Sequence, residues 1–179
     1  MKISYAITVK DELVEIQRLV DFLLTHKRPQ DEIVILLDKT NGSKQVEEYL
    51  RTYSTNNEFL WIAKPFHNHF ADWKNTLASL CDGDFIFFLD ADEIPSEYLI
   101  QTLPEILETN PEIDNFLVPR INTVDGITSE HIASWGWNIT KLDSMIGEKI
   151  LDLSNPKDLK EYEFLKECDF IIEESIYYK

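Results

Sequence analysis

The first 90 residues alternate between short apolar runs and longer segments in which apolar residues recur every three or four positions. Continuous apolar runs predict strands buried on both faces, as in parallel sheets, and the longer segments predict amphipathic helices. The predicted strands are Ser4–Val9, Ile33–Leu37, Phe59–Ala63 and Phe85–Leu89, and the predicted helices cover 12–25, 44–53 and 72–81. This alternation predicts a doubly wound α/β fold with a parallel sheet.

The chain beyond residue 96 is less regular. Residues 97–108 have a helical pattern, but they contain Pro104, which we expect to kink or split the helix. A further strand is predicted over Asn115–Pro119, and Asn155-Pro156 is typical of a helix start. The chain ends in the apolar, strand-like segment Ile176–Lys179.

Composition narrows the classes of function. With 179 residues, 44% hydrophobic, the chain suits a single ordered domain. The 17 Lys and Arg against 33 Asp and Glu give a net charge of −16, which argues against a nucleic-acid partner. No apolar run is long enough to span a membrane, and two cysteines are too few for a disulfide framework. We therefore expect a cytoplasmic protein without a transmembrane segment.

Residues 85–93, Phe-Ile-Phe-Phe-Leu-Asp-Ala-Asp-Glu, are the most informative segment for function. Asp90, Asp92 and Glu93 follow a buried strand, at the sheet edge where open α/β folds bind ligands. Clustered carboxylates repel one another unless a cation lies between them, and oxygen ligands suit Mg²⁺ or Mn²⁺. A structural alternative is an ordinary turn after the strand, with Ser96 as the cap of the next helix.

The block Phe70–Glu93 resembles the family 2 glycosyltransferases. It has a helix with a basic residue and Asn, then Gly-Asp, then a strand and Asp-x-Asp, and the earlier strands stand in the family's order. The resemblance covers roughly residues 1–120. It implies the Rossmann-like glycosyltransferase A fold, a mostly parallel sheet flanked by helices. We expect one domain, with residues 1–95 as the nucleotide-sugar-binding half and 96–179 as an acceptor-side half that is short for the family and truncated at its C-terminus.

The resemblance also implies an activity and a set of site residues. The activity is the metal-dependent, inverting transfer of a sugar from a nucleoside diphosphate sugar to a saccharide or other hydroxyl acceptor, with Mn²⁺ or Mg²⁺. Asp38 would meet the nucleoside and Asp90 the ribose, while Asp92, with Asp90, would bind the metal that bridges the phosphates. The substrate-binding residues would be Thr8, Lys10, Glu12, Asp38, Asp72, Lys74, Asn75 and Asp90. Asp84 would line the same cleft or serve in a turn.

The general base is harder to assign, because residues 120–179 contain no segment that matches the family's base motif. The chemically able candidates are Glu93, Asp125, Glu130, His131 and Asp143. We select Asp143 as the catalytic residue because it follows Trp135–Trp137, whose indoles suit a sugar ring. Two alternatives stay open: a catalytically incomplete nucleotide-sugar-binding domain, and an aspartate-nucleophile phosphatase. The phosphatase is disfavoured because such enzymes usually carry Asp-x-Asp after the first strand.

Overall fold

The computed structural model describes residues 1–56, 59–118, 120–124, 148–152, 156 and 175–178. The strands are β1 Ile3–Val9, β2 Glu32–Asp38, β3 Leu60–Lys64, β4 Phe85–Asp90, β5 Asn115–Leu117, β6 Arg120–Val124, β7 Glu148–Asp152 and β8 Ser175–Tyr178. The helices are α1 Leu13–His26, α2 Lys44–Tyr53, α3 Phe70–Ala78 and α4 Glu97–Thr109, and a 3-10 turn covers Ser54–Asn56. Within these ranges, none of the helices combines the length and apolarity that a bilayer crossing requires.

A six-stranded sheet in the order β3-β2-β1-β4-β8-β5 forms the centre of the fold. Strands β1 to β4 are parallel, with β1 between β2 and β4. The C-terminal strand β8 pairs antiparallel with β4, so that Phe85 lies opposite Tyr178 and Phe87 opposite Ile176. The structure therefore confirms the predicted α/β class, with a mostly parallel sheet flanked by helices.

The chain divides into two compact units. The first comprises residues 1–116 and 175–179, and the second comprises residues 117–174. In the second unit β6 pairs in parallel with β7, and neither strand was predicted from the sequence. The assignment of a single domain with two halves stays a prediction.

One face of the large sheet packs against α3. Ala6 of β1 and Leu36 of β2 form a buried cluster with Trp73 and Leu77 of α3, and Cys81 lies in the same cluster. The cysteine is 2% exposed, so it is a core residue. This packing fixes α3 above β1 and β2 and so determines which of its side chains reach the end of the sheet.

Three polar side chains continue the rows that face α3. Thr8 follows the buried Ala6 by two positions, and Asp38 likewise follows Leu36. Asp90 pairs with Thr8 in the register of β1 and β4. Because strand side chains alternate between faces with a period of two, all three lie on the α3 side.

Two helices differ from their predicted form. Helix α3 begins at Phe70 instead of residue 72, because the Nδ1 atom of His69 caps it by accepting a hydrogen bond of 3.2 Å from the amide of Asp72. Helix α4 continues through Pro104, so the expectation of a split is wrong. Ser96 caps α4. The buried face of the helix, which includes Leu103 beside the proline, anchors the helix to the core.

Close packing around position 83 explains why a glycine precedes Asp84 and β4. A Cβ atom at this position would lie 2.5 Å from the Oγ atom and 2.7 Å from the backbone nitrogen of Ser4. The amide of Gly83 also donates a hydrogen bond of 2.8 Å to that Oγ. The glycine is therefore required by the close approach of two backbone segments.

Candidate functional site

A cavity of about 380 Å³ lies at the carboxyl ends of β1, β2 and β4, within the first unit. The predicted site residues that line it are Thr8, Lys10, Glu12, Asp38, Lys74, Asp90 and Asp92. The parallel arrangement explains this convergence, because the carboxyl ends of all three strands meet at one edge of the sheet.

Asp90 ends β4 and is held by two neighbours. The hydroxyl of Thr8 donates a hydrogen bond of 2.5 Å to Oδ1 of Asp90, and the Nζ atom of Lys74 donates one of 2.9 Å to the same oxygen. Lys74 also lies 5.4 Å from the centroid of the Phe88 ring, which favours a cation above the ring face. The side chains of Lys74 and Asp90 are 31% and 54% exposed, so a ligand in the cavity can reach both.

Asp92 lies in a concentration of negative charge. Partial desolvation, followed by the charges of Glu93, Asp90 and Glu12, raises the pKa of its carboxyl group. Glu93 is buried, and its Oε2 atom accepts a hydrogen bond of 2.7 Å from the backbone amide of Asp90. Glu93 thus shapes the Asp90–Asp92 turn, while Asp92 presents its carboxylate at the cavity.

Asp38 is 5% exposed and organises the loop after β2. Its Oδ1 accepts hydrogen bonds from the amides of Thr40 at 2.8 Å and Phe66 at 3.3 Å, and its Oδ2 accepts one of 2.9 Å from the Asn41 side chain. Burial raises the pKa of Asp38, but these hydrogen bonds outweigh it and bring the pKa below its usual value. The backbone of Asp38 also leaves no room for a side chain at Gly42. Asp38 therefore organises the turn after β2 and also forms part of the cavity wall.

Glu12 has a similar role in the loop after β1. Its Oε2 atom accepts hydrogen bonds from the amides of Lys10 at 2.8 Å and Asp11 at 3.0 Å. The Nζ atom of Lys10 lies 3.3 Å from the carboxylate of Asp11. The carbonyl of Lys10 accepts a hydrogen bond of 3.0 Å from Ser43, the cap of α2, so the two loops are joined.

Aromatic side chains also line the cavity. The sequence did not identify them as site residues. Phe66 lies 5.0 Å from Phe70 and 5.5 Å from Trp73, measured between ring centroids. Phe70 is 72% exposed although it contributes to the cavity wall. Phe70 and Trp73 could have been identified from their helical spacing with Lys74, because this spacing places all three side chains on one face of α3.

Asp72 and Asn75 lie on α3 but do not line the cavity in the described part of the chain. Asp72 is exposed, and its carboxylate lies 3.3 Å from His69 Nδ1. The Asn75 side chain is exposed as well. Their assignment as substrate-binding residues stays a prediction.

The expectation that Asp84 lines the cleft is wrong. Asp84 precedes β4, so it lies at the amino end of the sheet, where its Oδ2 accepts a hydrogen bond of 2.7 Å from the amide of Lys2. The base candidates Asp125, Glu130, His131 and Asp143, together with the Trp135–Trp137 segment, lie outside the described residues.

The donor set at the end of β4 fits a divalent cation. Asp90 and Asp92 supply carboxylate oxygens, which suit Mg²⁺ and Mn²⁺. No group of three or more His, Cys, Asp or Glu side chains is placed to hold a metal among the residues that the structure describes. Because Mg²⁺ is usually bound through one or two carboxylates plus substrate phosphates, the residues present fit a cation that is shared with a phosphate ligand.

Residues 4–158 match the sequence model of Glycosyl transferase family 2. The chain belongs to this family. A search among curated proteins finds no significant sequence match. The family assignment makes the phosphatase alternative untenable and agrees with the position of Asp-x-Asp after the fourth strand instead of the first.

Solved structures share the fold of this family 2 chain. S. aureus TarS 1–349 in complex with UDP-GlcNAc is 17% identical with a TM-score of 0.56, covering 72% of this chain and 36% of its own. The mannosyltransferase PcManGT from Pyrobaculum calidifontis, in complex with GDP-Man and Mn²⁺, is 15% identical with a TM-score of 0.52, covering 69% of this chain and 35% of its own. The chain thus spans little more than a third of the length of these structures.

Proposed function

We propose that this chain is a metal-dependent glycosyltransferase that moves a sugar from a nucleoside diphosphate sugar to a hydroxyl acceptor with inversion at the anomeric carbon. The observation that carries the proposal is the cavity at the end of the parallel strands, where Asp90 and Asp92 lie with Asp38 and Lys74. Membership of glycosyl transferase family 2 supports it. The nucleotide-sugar complexes of TarS and the mannosyltransferase are those proteins' own and support the same donor class here.

The cavity provides separate groups for the parts of such a donor. Asp38, in the wall formed by β2, would accept a hydrogen bond from the nucleoside. Asp90 would bind the ribose and, together with Asp92, would hold a Mn²⁺ or Mg²⁺ ion against the two phosphates. Lys10 and Lys74 line the cavity and would contribute positive charge to bind the phosphates.

The chemistry requires positive charge at the leaving group. Breaking the bond between the sugar and the phosphate leaves negative charge on the nucleoside diphosphate, and a divalent ion stabilises that charge as it develops. The lysines would contact the diphosphate directly, and the Asp-x-Asp carboxylates would hold the cation that neutralises it. A single displacement by the acceptor oxygen inverts the anomeric carbon, and the acceptor proton passes to a general base. Asp143 remains our candidate for that base.

The function test is a parallel measurement of binding and turnover. We expect UDP- or GDP-sugars to raise the melting temperature of the chain in Mn²⁺ and to do so much less in EDTA, because a ligand that binds the folded state alone stabilises it. Transfer to an acceptor, or slow hydrolysis of the donor, is expected under the same conditions. Binding without any turnover would favour the catalytically incomplete nucleotide-sugar-binding domain, and no binding of any nucleotide sugar would contradict both. The cytoplasmic location stays a prediction.

A further inference from the structure

Lys74 is bound to Asp90, a carboxylate that the proposed divalent cation would also use. Its Nζ atom lies 2.9 Å from Oδ1 of Asp90, the oxygen that also accepts the hydrogen bond of Thr8. The lysine is placed there by α3, whose buried residues Trp73 and Leu77 fix the helix on the sheet. Its ammonium group also lies over the Phe88 ring. The contact is therefore part of the packed structure of the ligand-free chain.

A divalent ion and an ammonium group cannot share this carboxylate without cost. Two cations bound to one oxygen lie within a few ångströms of each other, where their repulsion is only partly screened by water. Lys74 is 31% exposed and has a flexible stem, so it can leave Asp90 when a metal arrives. Entry of the metal therefore exchanges one cation of Asp90 for another.

A bound diphosphate would give the displaced lysine a new anionic partner. Among the residues that the structure describes, the charged side chains that line the cavity are the acids Glu12, Asp38, Asp90 and Asp92 and the lysines Lys10 and Lys74. Glu12 and Asp38 are engaged by their own loops, so an anionic ligand would offer the released Lys74 a further partner. The diphosphate in turn gains a cation that was previously neutralised by Asp90.

We infer that Lys74 is a built-in counter-ion of Asp90 that makes metal and nucleoside diphosphate bind cooperatively. The metal is weakly bound alone because it must displace Lys74, and the diphosphate strengthens metal binding by receiving the lysine. Thermodynamic linkage requires the metal to strengthen diphosphate binding by the same factor. This inference rests on the proposed function for the identity of the anion, but its metal part concerns the protein alone.

The test is Mn²⁺ binding to the full chain without nucleotide, followed by binding of UDP and GDP at saturating Mn²⁺. The variant is Lys74→Met, which removes the charge and keeps an unbranched apolar stem over Phe88. We expect Lys74→Met to bind Mn²⁺ alone about fivefold more tightly than the wild type, since a competing cation is gone. We expect the same variant to bind the nucleoside diphosphate about tenfold more weakly, since a charge-assisted contact is lost. Opposite signs for the two ligands are the signature.

Three further variants separate exchange at Asp90 from a general change in charge. Lys10→Met removes the same charge from the same cavity but not from Asp90, and it should raise Mn²⁺ affinity less than about twofold. Lys74→Arg keeps the cation and should restore Mn²⁺ affinity to near the wild-type value. In an Asp90→Asn background, Lys74→Met should no longer raise Mn²⁺ affinity, because the shared carboxylate is absent. Circular dichroism of each variant verifies folding.

Equal or weaker Mn²⁺ binding by Lys74→Met would overturn the inference, even if donor binding is demonstrated for the wild type. The inference also fails if Lys10→Met raises the affinity as much as Lys74→Met. If the Mn²⁺ results follow expectation but neither UDP nor GDP nor their sugars bind, the counter-ion role of Lys74 is supported while the proposed function fails.

Discussion

The buried carboxylate of Glu93 accepts a hydrogen bond of 2.7 Å from the backbone amide of Asp90. The amide of Glu93 in turn donates one of 3.0 Å to the carbonyl of Asp90, so the turn that carries Asp92 is closed from both sides. A side chain that the sequence made a candidate general base therefore has a structural function in the turn. Substitutions of Glu93 can therefore distinguish a role as general base from a structural role in the turn.

We expect Glu93→Ala to lower the free energy of unfolding by about 1–3 kcal/mol, because it leaves a partly buried amide without its acceptor. It should also weaken Mn²⁺-dependent nucleotide binding by displacing the turn. Glu93→Gln keeps an acceptor oxygen and should lose much less of both, as measured by urea unfolding and calorimetry. If Glu93→Gln instead abolishes turnover with stability and donor affinity intact, Glu93 is the base, and its stabilisation of the turn is secondary.

Asp38 is expected to affect both stability and nucleoside binding. Asp38→Ala should reduce the free energy of binding of a nucleoside diphosphate by about 1.5–3 kcal/mol, because a charge-assisted acceptor is lost, while binding of pyrophosphate with metal changes little. Calorimetry with both ligands measures the difference. Asn41→Ala is the matched control, since it removes a donor to Asp38 Oδ2 without removing the carboxylate. Equal loss of pyrophosphate binding in Asp38→Ala would make the residue purely structural or a metal ligand.

The pH dependence of stability provides a second measurement on Asp38. The pKa of this carboxyl group is below its usual value in the folded chain, so its ionised form stabilises the fold. That contribution is complete above the unfolded pKa of about 3.9 and is lost as the pH falls through the folded value. The difference in unfolding free energy between the wild type and Asp38→Asn should thus be largest near neutral pH and should shrink in acid. A difference that does not change with pH would contradict the assignment.

The secondary structure of most of the first 110 residues could be predicted from the sequence, because the pattern of apolar residues agrees with their burial in the fold. The continuous apolar run at Phe85–Leu89 predicted a strand buried on both faces, and Ile86 and Phe87, which point to opposite faces, are both buried. Asp90 and Asp92 were placed correctly at the cavity because the end of a buried parallel strand has a fixed location. The same reasoning would have placed Asp84 at the opposite edge, since it precedes the strand.

Other features depend on contacts that local patterns do not reveal. The His69 cap lengthens α3 at its start through a side chain outside the preferred set of Ser, Thr, Asp and Asn. The anchoring of Leu103 in the core lets α4 pass through Pro104. The pair Lys74–Asp90 requires a helix and a strand to be packed in one particular register, which sequence spacing alone cannot specify.

Substitution of Asp92 is expected to affect stability and ligand binding in opposite directions. Its pKa is raised by desolvation and by neighbouring acids, so its ionised form destabilises the ligand-free fold as the pH rises. Asp92→Asn is therefore expected to stabilise the ligand-free chain near neutral pH by less than about 1 kcal/mol, and to abolish the Mn²⁺-dependent part of the stabilisation by nucleotide. Thermal unfolding with and without Mn²⁺ measures both. Asp84→Asn, at the other edge of the sheet, should leave the Mn²⁺ response intact; equal nucleotide affinity in EDTA and Mn²⁺ would refute metal dependence.

Phe70 is expected to contribute to nucleoside binding. The ring is largely exposed in the cavity wall, and stacking of a base on an aromatic face contributes about 1–3 kcal/mol. Phe70→Ala should weaken binding of UDP or GDP by that amount and leave pyrophosphate binding and the melting temperature nearly unchanged. Tyr98→Ala, which removes an exposed aromatic side chain of α4 that does not line the cavity, is the control. Unchanged nucleotide affinity in Phe70→Ala would exclude a stacking role.

The last prediction concerns the general base of the proposed transfer. Asp143→Asn should lower turnover by about 10²-fold or more while donor affinity stays nearly the same, because a base acts on the acceptor proton in the transition state and not on the bound donor. Single-turnover kinetics and donor calorimetry on the same samples separate the two quantities.

Asp125→Asn, Glu130→Gln and His131→Asn are tested in parallel, since the sequence spacing does not choose among the candidates. A selective loss of turnover in one of them would transfer the role from Asp143 to that residue. If the wild type transfers sugar and none of the four variants slows it, the base is not among these residues. If the wild type binds the donor but transfers nothing, the chain is the catalytically incomplete nucleotide-sugar-binding domain, and the role of Asp92 in metal binding would still stand because it is measured without turnover.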